Sequence, residues 1–151
     1  MFIRSILLVS LVFIGAFAIS AQKNIETPAV GDPIMEADAL HNLDVARQAF
    51  GPGKKAYKQV LGRFEETFAV YPDFSKMDEF IYIAAMSSLY LSENKGRQKV
   101  NLKDEEQKEK YAPEKLRNDA RAYFNLLVDK YSGSEYAGKA KDMLKEMDEK
   151  K

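Results

Sequence analysis

The sequence predicts an all-α protein, a short α-solenoid of about five helices, because apolar residues recur at helical steps in segment after segment. Proline, glycine or serine closes each segment, and one helix-turn unit recurs in the second half of the chain.

Residues 1–21 read as a targeting segment. Arg4 supplies a positive start, Ile6 to Ile19 is apolar but short for a bilayer, and Ala18-Ile19-Ser20-Ala21 offers small residues to signal peptidase. Cleavage is expected after Ala21, with Ala18 as the alternative site and an uncleaved anchor as the competing reading. The chain has no Cys, so no lipid-modified cysteine can follow the cleavage site. Residues 22–35, with Pro28, Gly31 and Pro33 and little apolar content, read as a flexible lead-in to a helical-repeat domain at 36–150.

The first helix places Ala39, Leu43, Ala46 and Phe50 on one stripe with Leu40 beside it, and Gly51-Pro52-Gly53 ends it. The second runs from about Lys54 to Tyr71, with Tyr57, Leu61, Phe64, Phe68 and Tyr71 inward and Pro72 after the last turn. Ser75-Lys76-Met77-Asp78 resembles a capping box that opens a third helix through Leu91. That helix is apolar on most faces, so it should lie between others.

Residues 92–111 are dense in both charge signs and read as a solvated insert, partly helical from Asn101, with a partner-docking loop as the alternative. Pro113 then starts a fourth helix whose stripe is Leu116, Ala120, Phe124, Leu127 and Tyr131, stopped by Ser132-Gly133. Ser134 is placed to cap a fifth helix to about Glu149, with Tyr136, Ala140, Met143, Leu144 and Met147 inward. Its opposite face is charged, as suits a helix that shields the end of a stack.

Composition narrows the function classes. With 23 Lys+Arg against 23 Asp+Glu there is no global field toward nucleic acid or an anionic bilayer, so association with a membrane is expected only through partners. Without Cys and with a single His, thiolate chemistry, disulfides and multi-His metal sites are excluded. His41 has Asp38 and Asp44 one helical turn away on either side, a weak metal or acid-base arrangement whose plainer reading is a surface histidine beside carboxylates. Glu65-Glu66 and Glu105-Glu106 fall on charged surfaces, and no phosphate loop or nucleophile elbow is present. No cofactor, metal or catalytic residue is therefore expected.

Aligned on itself, the chain pairs Phe64 with Phe124, Phe68 with Val128 and Tyr71 with Tyr131, and a turn follows both tyrosines. Ala120 and Phe124, and less closely Val60 and Phe64 with Pro72, resemble the second helix of a tetratricopeptide repeat; Ala46 and Ala84 suit the small crossing position of its first helix. The first-helix Trp and Gly of that repeat are absent, and the charged insert splits the second copy, which leaves two degenerate repeats and a capping helix.

Within that superfamily, Phe64-Glu65-Glu66 leading to Tyr71-Pro72, and the run from Phe124 through Tyr131 to Ala137, resemble the BamD family. These are tetratricopeptide lipoproteins of the outer-membrane β-barrel assembly machinery. The likeness covers about residues 36–149 and departs in the missing lipobox Cys and in length. It implies a periplasmic scaffold with protein partners from the envelope or barrel-assembly apparatus.

If the first and third helices line a partner groove, its expected contacts are Leu43, Arg47, Asp78, Ile81, Ala85 and Ser88, with Leu43 and Ile81 equally readable as core. Most aromatics belong to packing stripes, and Tyr82 and Tyr90 are the ones to test for exposure. The competing function classes are a self-associating structural protein and a small-ligand binder or enzyme.

Overall fold

The computed structural model describes residues 32–149. Among them the elements are α1 (Pro33–Phe50), α2 (Tyr57–Val70), α3 (Met77–Ser92), α4 (Glu105–Tyr111), α5 (Pro113–Lys130) and α6 (Glu135–Glu149), with no strand. The expected targeting segment and residues 22–31 of the expected lead-in lie outside the described residues. The fold class is all-α; the helix beyond the expected five is α4, inside the charged insert.

Helix α1 starts earlier than the lead-in reading allowed. The Asp32 carboxylate accepts from the Ile34 N–H at 2.9 Å, and Pro33 occupies the first turn, where its missing N–H costs nothing. Ala39, Leu43, Ala46 and Ala49 are buried, and Phe50 packs half-buried against the core. After Gly51 the chain turns through Lys55, held at φ 46, which lets the Ala56 N–H return to the Ala49 carbonyl at 2.8 Å. Helix α2 consequently begins at Tyr57 and not Lys54.

Helix α3 is the centre of the molecule. It packs most extensively on α5, next on α2, and along its length it touches α1 and α6. Phe64 of α2 meets Phe80 of α3 edge-on at 5.6 Å and Tyr123 of α5 at 5.1 Å, which joins three helices through aromatic contacts. Ala84, Ala85, Ser87 and Ser88 are small and buried, so neighbouring helices can come close. Phe68 departs from the expected stripe: it is 37% exposed, stacked on Phe64 at 5.2 Å and not enclosed.

The internal repeat extends to backbone hydrogen bonds. The Tyr71 N–H donates to the Thr67 carbonyl, as Tyr131 does to Leu127; the Phe74 N–H donates to Tyr71, as Ser134 does to Tyr131; and Met77 donates to Phe74, as Ala137 does to Ser134. The pairs α2/α3 and α5/α6 are thus joined by the same turn. Their capping differs.

Ser134 Oγ accepts from the Tyr136 N–H at 3.1 Å and donates to Asp78 at 2.5 Å, tying the start of α6 to the start of α3. The expected Ser75 capping box does not form, because Ser75 lies one residue before the cap position and its hydroxyl donates instead to Glu36 of α1. That bond holds the Glu36 carboxyl below the ordinary carboxylate range. Gly133 is not left-handed, so α5 ends in this turn and not in a glycine cap.

The charged insert is docked. Gly96 is buried beside Tyr57, the Arg97 N–H donates to the Lys55 carbonyl at 3.1 Å, and Val100 packs against the core. Asp104 caps α4, which starts at Glu105 and buries no residue. Lys58 reaches Gln107 at 2.8 Å and Lys110 reaches Glu65 at 2.7 Å, holding α4 to α2 through polar contacts. Among the described residues no helix is long and apolar enough to cross a membrane.

Candidate interaction face

An α-helix advances about 100° per residue, so the burial pattern of α3 locates its open side. Met77, Phe80, Ile81, Ala84, Ala85 and Ser88 are at most 1% exposed and cover the side toward α2 and α5. Glu79, Tyr82 and Tyr90 are half-buried, with Met86 between them at 7% exposure, and they form a stripe at i, i+3, i+7 and i+11. Helices α1 and α6 flank it. Arg47 of α1 approaches Glu79 from one side, and Tyr136 of α6 lies 5.2 Å from Tyr82 on the other.

This corrects the expected groove. Leu43, Ile81, Ala85 and Ser88 are buried in the core and present no accessible surface. On α3 the expected contacts 78 and 81 sit one residue before the half-buried 79 and 82, which is a rotation of about 100°. An apolar helix carries too weak an asymmetry to fix its rotation. The usable signal was the amphipathic set Glu79, Tyr82 and Tyr90, whose polar tips need solvent or a partner.

Arg47 and Asp78 are part-exposed, but both are engaged. Arg47 forks onto Glu79, with Nε to Oε1 at 2.6 Å and Nη2 to Oε2 at 2.5 Å, while Nη1 reaches Asp44 at 2.6 Å. The Glu79 bonds are the main cause of the raised Arg47 pKa, so the guanidinium stays charged and bridges α1 to α3. Asp78 receives the Ser134 hydroxyl.

Across the face, Lys139 lies 4.7 Å from the Tyr136 ring centre and 5.9 Å from that of Tyr82, and it also pairs with Glu135 at 3.0 Å. Burial raises the Tyr82 and Tyr136 hydroxyl pKa values, so both remain neutral donors at ordinary pH.

The stripe runs into a recess of ≈ 530 Å³ at the end of the bundle where α1 and α3 finish and α2 begins, lined by Phe50, Tyr57, Tyr90, Pro52, Lys55 and Lys95. Tyr57 and Tyr90 are 5.5 Å apart, and Phe50 stacks on Tyr90 at 6.2 Å. Lys95 stands 5.4 Å from the Tyr90 ring centre and pairs with Glu93 at 2.5 Å.

The expected weak histidine site has no such enclosure. His41 and Asp38 are exposed, and Asp44 is committed to Arg47. Among the described residues no group of His, Cys, Asp or Glu is arranged to hold a metal ion.

No protein-family model matches the chain, and no curated protein or solved structure matches it either.

Proposed function

We propose that this protein is an exported, periplasmic helical-repeat scaffold that binds a protein partner along the open stripe of α3, in outer-membrane protein assembly or envelope biogenesis. The observation that carries the binding reading is the stripe itself. Tyrosine, methionine and paired charge are concentrated between two flanking helices, the composition that protein interfaces favour. A tetratricopeptide-like build is supported by the repeated α2/α3 and α5/α6 turn, by full burial of Ala46, Ala84 and Ala120, and by helices α1, α3 and α6 standing side by side. The envelope assignment rests on the targeting segment and on the BamD-like run from Phe124 to Ala137.

Site-directed photo-crosslinking tests the face. A crosslinking residue at Tyr82 or Tyr90 should capture an envelope protein, whereas one at Asn125 or Lys141, exposed on α5 and α6, should not. Equal capture from all four positions refutes the assignment. Mass spectrometry of the protein from envelope fractions should show a chain starting after Ala21; a mass retaining residues 1–21 refutes cleavage.

A further inference from the structure

The chain is neutral overall, yet its charge is not evenly spread. The segment from Gly51 to Lys58 contributes Lys54, Lys55 and Lys58 without an acid, and the segment from Glu93 to Lys99 contributes Lys95, Arg97 and Lys99 against Glu93 alone. The backbone bond from Arg97 to Lys55 and the Lys58 ammonium bond to the Lys99 carbonyl at 2.7 Å draw these segments together at one end of the bundle. Glu93 is consumed by Lys95, and Glu146 of α6 is the further acid that Lys95 senses. Among the described residues the side chains of Lys54, Lys55 and Arg97 make no ion pair.

From these segments Lys55 and Lys95 line the recess of Phe50, Tyr57 and Tyr90, and Lys54 and Arg97 are their neighbours in sequence. The rings form the wall of a hollow and do not project from it, since Tyr57 is 4% exposed. They are therefore shaped to receive an apolar group, not to enter a bilayer as a wedge. A volume of ≈ 530 Å³ accommodates a large side chain with its neighbouring backbone. Aromatic walls edged by the unpaired Lys55 and by Lys95, whose single partner Glu93 leaves the rim net basic, complement an apolar anchor flanked by carboxylates.

We infer that the recess of Phe50, Tyr57 and Tyr90 seats an aromatic or large apolar side chain of a partner's acidic segment, whose carboxylates pair with Lys55, Lys95 and the neighbouring cations. This names the partner chemistry of the interaction face and rests on the reading that the face binds polypeptide.

The test is fluorescence anisotropy of the folded protein, residues 22–151, with a labelled synthetic peptide of one Phe flanked on each side by alternating Asp and Glu. Binding should be saturable and should weaken about tenfold or more when Ala replaces the Phe or when salt is raised to screen the rim. The exchange Lys55→Glu with Lys95→Glu alters exposed side chains and should leave helicity intact while weakening binding about tenfold or more. Tyr90→Ala should weaken the Phe peptide and leave the Ala peptide unchanged.

Equal affinity of the double charge reversal and the parent overturns the inference. So does equal affinity for a peptide with Lys in place of Asp and Glu, or tighter charge-dependent binding to phosphatidylglycerol vesicles. Concentration-dependent mass abolished by the same reversal would assign the recess to a second copy of the chain and also overturn it. If the peptide fails while Tyr82 still crosslinks a partner, the inference falls and the interaction face stands. If both fail, the interaction reading falls too.

Discussion

Ser87 is 0% exposed in the middle of α3, and its hydroxyl has no hydrogen-bond partner among the described residues. A buried hydroxyl without a partner costs about 1–3 kcal/mol relative to its hydrated state. Ser87→Ala removes that oxygen and keeps the Cβ that packs. Alanine adds about 0.5 kcal/mol of helix propensity, and the void left by one oxygen takes back a few tenths of a kcal/mol. The net expectation is stabilisation of about 1–3 kcal/mol, an upward Tm shift of roughly 4–12 °C for a domain of this size.

Urea denaturation followed by circular dichroism should show a higher midpoint at unchanged slope, which separates a stability gain from a change in compactness. Ser87→Val should do the opposite, losing about 1–3 kcal/mol, because added methyl volume at a fully buried position overpacks the core. A Ser87→Ala protein destabilised by 1 kcal/mol or more would show that the hydroxyl is satisfied in the folded state.

Other expectations follow from close contacts and burial. A Cβ on Gly96 would lie 3.0 Å from a Tyr57 ring carbon and 3.3 Å from the Lys55 carbonyl, so Gly96→Ala should displace the insert or the ring at a cost of about 1–3 kcal/mol in urea denaturation. Tyr123 is driven by burial, then by Asp119 and Glu65, from 10.0 to about 12. Between those values the folded state holds a proton that the unfolded state has lost, so stability should fall as pH rises from 10 toward 12. Ultraviolet titration should show a late tyrosine that disappears in Tyr123→Phe; an alkaline end of the titration unchanged by that substitution would contradict the raised value.

Helical periodicity was most legible where a strong apolar stripe opposed a polar face. Helix α5 begins at Pro113 as its spacing predicts, with Leu116, Ala120, Phe124 and Leu127 buried. Ser134 caps α6 because a hydroxyl before an acidic first turn has one favourable local role. Helix α3 was legible as an enclosed helix but not in its rotation. The displacement of the expected contacts by one residue follows directly from its nearly uniform apolarity.

The insert is more firmly held than its composition predicts. Its charges do form α4 and face solvent, but Gly96 and Val100 at its start are held by Tyr57, Lys55 and the core, contacts distant in sequence.

The all-α class, the principal helices within a few residues, and the repeated turn after Tyr71 and Tyr131 are legible in the residues alone, because these depend on interactions within one or two helical turns. Tertiary packing sets which side of α3 remains open, commits Arg47 to Glu79, and brings Phe50, Tyr57 and Tyr90 together around one basic recess. Those features depend on how helices rotate about their own axes and on which loops meet at one end of the bundle. Close packing among all the helices sets that rotation, and no local stretch of residues encodes it.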